Sequence, residues 1–181
     1  MNLSLLSNRK KTSCTNTLVG AALFIGIFSA AIAQTPAPAA PPVATVPGYG
    51  QSITLDQAKK MMVAAEAHAK ANNWIVGISI VDTAGQLVMF QKLDGLQHIS
   101  VAIATGKAVT AVNFRRPTKA LEDGIAAGGV GLRILAVPGV TPLEGGIPIV
   151  IDGRIVGGIG VSGVTSQQDA AVASAGIAGL K

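Results

Sequence analysis

Apolar positions change their spacing twice along this chain. From Leu18 to Ile32 they form one unbroken, uncharged run, Leu-Val-Gly-Ala-Ala-Leu-Phe-Ile-Gly-Ile-Phe-Ser-Ala-Ala-Ile. Beyond Gln51 they recur at helical or strand periods. Leu55, Ala58, Met61, Met62, Ala65 and Ala69 share one arc of a helix, with Lys59, Lys60, Glu66 and Lys70 on the other side and His68 at the border. Thr54-Leu-Asp-Gln57 supplies a capping box with Thr54 as N-cap, which predicts a helix from there to about Asn72. Trp74, Val76, Ile78 and Ile80 alternate, which predicts a strand over Trp74–Val81. Asp82-Thr-Ala-Gly85 then turns the chain into a second strand over Gln86–Lys92.

Leu93–His98 reads as a loop, after which Ser100 caps a helix running to Phe114. Val101, Ala104, Ala108 and Ala111 give that helix a narrow stripe of small side chains, suited to lying close on a sheet. Ile103, Lys107, Thr110 and Phe114 form a neighbouring stripe, in which a lysine is out of place. Either its stem passes the core to reach water or its ammonium faces a cavity. Arg115-Arg116-Pro117 ends the helix, because proline disfavours helical geometry in the residue before it. A short helix over Thr118–Ala126, a flexible segment containing Gly124, Gly128, Gly129 and Gly131, and a short strand over Leu132–Val137 are expected next.

Gly145–Gly163 reads as a hairpin with Asp152-Gly153 at its turn. Its second strand carries Gly157, Gly158 and Gly160. Glycine weakens a strand, so three of them imply close approach by another backbone or by a flat ligand. Thr165 or Ser166 caps a last helix through Leu180, with Asp169 complementing the dipole in its first turn. Hairpins dominate over βαβ alternation. The expected fold is α+β, an antiparallel sheet of about five strands with helices packed on it.

Arg9, Lys10 and Lys11 precede the apolar run and Ala31-Ile32-Ala33 follows it, which is the pattern of a secretory signal over residues 1–33, cleaved before Gln34. Residues 34–50 are rich in proline and alanine and read as an extended linker, leaving one domain over residues 51–181. Cleavage removes Cys14, so neither a disulfide nor a thiolate metal site is available to the mature chain. It also removes three of the 14 basic residues, leaving 11 against nine acidic ones, a balance that gives no reason to expect nucleic acid. With the signal gone, no membrane association is expected either, and the location would be periplasmic or secreted. Aromatic residues make up 3% of the chain, so the core must be built from Ile, Val, Leu, Ala and Gly.

The pattern Val81-Asp-x-x-Gly85, Asp94-Gly95, Lys107-Ala108-x-Thr110-Ala111-x-x-Phe114, Gly145-Gly-x-Pro148, Gly160-Val-Ser-Gly163 and Asp169 resembles the GlcG/HbpS family, which includes the C-terminal domain of PduO-type proteins. The resemblance covers nearly all of residues 52–181. It implies a profilin-like sandwich, homo-oligomers from dimers to octamers, and haem as the cofactor, although functions within the family differ.

Haem needs a flat apolar slot, cations for two propionates and, usually, an axial ligand. The glycine strand, through Gly158, Gly160 and Ser162, is the candidate slot. Lys107, Arg115, Arg116 and Arg133 are candidate propionate partners. Among axial candidates His98, in a loop before a helix, ranks first and His68 second; Met61, Met62 and Met89 are simplest as core filler. Tyr49, the single tyrosine, falls in the linker. Neither histidine matches a family ligand motif, and each has a plain alternative as a surface side chain. Lys107 is equally consistent with holding an anion or with pairing to Asp94 or Glu122. Asp82 and Asp152 are turn formers, and Asp94 has a similar role.

The two histidines lack the spacing of a His-Glu-x-x-His metal site, and Ser162 lies in Gly-x-Ser-Gly rather than in a nucleophile elbow. No acid–base pair stands out, which leans against catalysis by the chain's own residues. The reading that emerges is an exported haem-binding protein for scavenging, sensing or degradation. The alternatives are an enzyme or carrier for a small carboxylate or aldehyde, and a scaffold that binds nothing small.

Overall fold

The computed structural model describes residues 45–181; the signal sequence expected over residues 1–33 and most of the expected linker lie outside them. The expected first helix forms as α1, Leu55–Ala71, with the Thr54–Gln57 capping box made in both directions. Ala58, Met61, Met62, Ala65 and Ala69 are its buried residues, as the arc predicts, whereas Leu55 in the first turn stays exposed. The chain then forms β1 (Gly77–Val81), β2 (Leu87–Lys92), α2 (Ile99–Phe114), α3 (Lys119–Ala126), β3 (Gly146–Ile151), β4 (Arg154–Ser162) and α4 (Ser166–Ala178).

The strands make one antiparallel sheet in the order β2-β1-β4-β3. Helix α2 covers one face, against β1, β3 and β4. Helices α1 and α4 pack on each other, and α4 covers β4 on the opposite face. The main core lies there, among Met61, Met62, Ile78, Ile80, Ile159, Val161 and Val172. The α2 face is thinner, with Val81, Ala108 and Val112 at its centre.

The α+β fold is therefore present with four strands instead of five. Residues Gly129–Ala136 form a 3-10 helix where a strand over Leu132–Val137 was expected. Leu132, Ile134 and Leu135 do not alternate, and Gly128 and Gly129, both at positive φ, bend the chain ahead of the segment.

The glycines of β4 are explained by the helix above them. A Cβ at Gly160 would lie 2.1 Å from the Ala104 carbonyl oxygen and 2.5 Å from the Ala108 nitrogen. One at Gly158 would lie 2.7 Å from the Ala108 carbonyl oxygen and 2.6 Å from a Val112 methyl. The small-residue stripe of α2 and the bare strand thus fit each other. Of the two causes for such a strand, backbone approach holds, and the flat-ligand slot at Gly158 and Gly160 is corrected.

The chain reaches the sheet earlier than Gln51. Gly48 and Gly50 exchange backbone hydrogen bonds with Ile155, and the Ile53 amide donates to the Val156 carbonyl. The Tyr49 hydroxyl donates to the Val112 carbonyl at 2.9 Å, and the Arg115 guanidinium stands over its ring. Tyr49 is thus held against the C-terminal end of α2.

Candidate functional site

Lys107 is buried, with 2% of its surface exposed, and its stem does not reach water. Its Nζ donates to Asp169 Oδ2 at 2.7 Å and to the Val161 carbonyl at 2.9 Å. The partner is therefore Asp169, neither Asp94 nor Glu122. Asp169 Oδ1 accepts from the Val164 amide at 3.2 Å, so the pair ties α2 to the start of α4 and the end of β4. Burial pushes the Asp169 carboxyl above its usual range, against the lowering effect of Lys107. An ammonium spent in this way is not free to hold a propionate or a small carboxylate, which corrects the ligand role for Lys107. Gly145 exists for the same reason: at φ +121 it carries no Cβ, which would otherwise lie 2.9 Å from both Lys107 Nζ and the Asp169 Cβ.

The remaining sequence candidates do not converge. Ser162 is buried at the end of β4. Arg115, in the left-handed conformation, and Arg116, which donates to the Phe114 carbonyl, are exposed at the C-terminal end of α2. Arg133 is exposed on the 3-10 helix. His98 sits at the start of α2, exposed and without a capping hydrogen bond. Met61 and Met62 are fully enclosed in the core and Met89 packs against it, so none of the three offers its sulfur to a surface ligand.

His68 has a different setting. It is half-buried on the last turns of α1, and its ring meets Trp74 edge-on, with centroids 5.8 Å apart at 63°. Trp74 lines a cleft of about 550 Å³ between the C-terminal end of α1 and the end of β2. Trp74, Ile75 and Leu93 give this cleft apolar surface, and Lys70, Lys92, Glu66 and Asp94 give it charge. The local backbone places them. Asn73, at φ +55, and the Trp74 amide donating to the Ala69 carbonyl swing the chain back across the helix end. The Leu93 amide donates to the Val76 carbonyl, holding the opposite wall beside β1. Glu66 and Lys70 form an ion pair at 2.5 Å, and Lys70 and the Gln91 amide hold the Glu66 carboxyl below its usual range. Lys92 has no carboxylate within 4.0 Å among the described residues.

Such a cleft suits a partly apolar, carboxylate-bearing guest: a ring to stack on, two cations at the rim and an imidazole one ring away. Trp74, Lys70, Lys92 and Leu93 are absent from the candidates read along the sequence. Trp74 is the single tryptophan, a weak signal in itself. The lysines look like ordinary surface charges until the helix end and the strand end are brought side by side.

Residues 53–178 match the family model of the HbpS-like haem-degrading proteins. The protein GlcG of Escherichia coli K12 is 38% identical over 110 residues, which span 61% of this chain and 81% of that protein. The crystal structure of a PduOC–haem complex superposes with a TM-score of 0.65 at 28% identity, over 71% of this chain and 94% of the other. A double mutant of HbpS from Streptomyces reticuli superposes with a TM-score of 0.66 at 34% identity, over 78% of this chain and 97% of the other.

Proposed function

The chain belongs to the HbpS-like family, and from that premise we propose that it binds haem in the cleft between α1 and β2. The observation that carries this reading is the cleft's mixed lining. Trp74, Ile75 and Leu93 offer a face for a macrocycle, Lys70 and Lys92 offer cations for its two propionates, and His68 stands against Trp74. His68, in contact with Trp74, is the imidazole that would hold iron there. Bound haem itself supplies the redox and oxygen chemistry; the protein's part is to hold the ring, screen the propionates and limit access. The PduOC–haem complex, a structural relative, supports the ligand class.

A second reading keeps His98 as the axial residue. Ile99, 60% exposed, and Val101 follow it on the surface of α2, so imidazole and apolar area lie together there. Hemin titration of the purified domain, followed by the Soret band, separates the two. Saturable binding lost in His68→Ala and kept in His98→Ala supports the cleft. The reverse pattern moves the site to α2, and no saturable change removes haem from the account.

We further propose that the protein is exported and self-associates. Export rests on the pattern of residues 9–33, and a mature N-terminus at Gln34 by mass spectrometry would support it. Self-association rests on the 3-10 helix, which buries none of its own residues and leaves Val130 77% and Leu135 62% exposed. The small-carboxylate alternative has lost the lysine on which it depended.

A further inference from the structure

The lining of the cleft is balanced in charge: Lys70 and Lys92 against Glu66 and Asp94. A guest with two ionised carboxylates would therefore enter with no net attraction, even though cations are present. The geometry within the lining explains how the balance is kept. Glu66 and Lys70 lie one helical turn apart on α1, and Glu66 Oε1 accepts from Lys70 Nζ at 2.5 Å. The carboxylate is the inner member of the pair, with 26% of its side chain exposed against 66% for the lysine. Lys70 is folded over Glu66 at the wall of the cleft, while Lys92 on the opposite wall has no such partner.

From this arrangement we infer that Glu66 is a resident competitor, a carboxylate of the protein that occupies the lysine an incoming propionate requires. The inference rests on the reading of the cleft as the haem site and deepens it. A carboxylate-bearing tetrapyrrole binds by exchange: Lys70 leaves Glu66 and turns to the guest, while the Glu66 charge remains in the lining and opposes it. Glu66 thereby keeps affinity for carboxylate-bearing guests moderate and narrows the cleft's preference for them over an esterified ring. It is a specificity-determining residue that acts through Lys70. Neither side chain belongs to the core: Lys70 is exposed, and the half-buried Glu66 meets Gln91 of β2 as well as Lys70.

The test compares protoporphyrin with its dimethyl ester on the full domain, read by porphyrin fluorescence. Exposed ion pairs of this kind contribute little, so Glu66→Gln is expected to tighten the free acid by roughly two- to five-fold and to leave the diester unchanged. Lys70→Met should weaken the free acid by a similar factor and again spare the diester. The pair Glu66→Gln with Lys70→Met should return no benefit from the glutamine, because the lysine that it frees is gone. Equal effects on acid and diester, or no effect of Glu66→Gln on the free acid, would overturn the competitor role. If neither porphyrin binds parent protein, or if binding is insensitive to Trp74→Ala, the cleft reading itself fails, a result distinct from the previous one. Thermal melts of each variant within a degree or two of the parent confirm that the fold is not what changed.

Discussion

Replacing Lys107 by methionine removes one partner of a pair that is fully enclosed. The stem of methionine fills most of the same space, so the loss is mainly electrostatic. It leaves the Asp169 carboxyl, 2% exposed, with the Val164 amide but no ammonium. Breaking a buried pair from one side costs about 3–5 kcal/mol. For a domain of this size each kcal/mol moves the melting temperature by roughly 3–5 °C, which puts the expected loss at roughly 10–20 °C. The pH dependence carries a further signature. In the parent, burial holds the Asp169 carboxyl above its ordinary value. Between the unfolded and folded titrations the folded state keeps a proton that the unfolded state has released, so stability falls as pH rises through that window. In Lys107→Met the carboxyl has lost its counter-charge and titrates higher still. The deficit relative to parent should then be smaller on the acid side, where Asp169 is neutral in both proteins, and grow toward neutral pH. Scanning calorimetry in matched buffers across the carboxylate range is the assay. A double variant, Lys107→Met with Asp169→Leu, removes both charges and should recover much of the loss. A single variant that melts within about 3 °C of parent at every pH would refute the claim that this pair pins α2 to α4.

Gly160→Ala should destabilise the domain by about 1–3 kcal/mol in urea, since the added methyl lies 2.1 Å from the Ala104 carbonyl oxygen and α2 must lift to admit it. Tyr49→Phe removes the hydroxyl bonded to the Val112 carbonyl and should cost about 1 kcal/mol, and a chain begun at Gln51 should melt below one begun at Val46. Thr118→Val leaves the Gly146 amide without the hydroxyl that accepts from it at 2.9 Å in a buried setting; a loss of about 1–3 kcal/mol is expected by chemical denaturation. Leu135→Glu on the exposed 3-10 helix should shift the protein toward smaller species in light scattering while leaving the monomer fold, read by circular dichroism, intact.

Local chemistry made most of the fold readable along the chain. The Thr54 and Thr165 capping boxes mark where α1 and α4 begin, and Asp152-Gly153 at positive φ marks the β3–β4 turn. The small residues of α2 and the bare positions of β4 are two halves of one contact. Each half is visible in sequence, but only their registry shows that the gap is already filled. Lys107 stood out correctly as a lysine among apolar residues, yet its partner lies 62 positions away, beyond anything spacing can express. Leu132–Val137 misled for the opposite reason: an apolar string suggests a buried strand, and here the same residues remain largely on the surface. The cleft was least legible, because Lys70, Trp74 and Lys92 belong to the ends of separate elements and carry no shared period.

Trp74 provides the most direct check on where haem sits. As the single tryptophan it contributes one indole N–H signal to a proton–nitrogen correlation spectrum. On titration with diamagnetic gallium protoporphyrin that signal should move strongly under the ring current, together with backbone amides of residues 66–75 and 91–95. An indole signal that holds still while the amides around His98, Ile99 and Val101 move instead would contradict binding between α1 and β2.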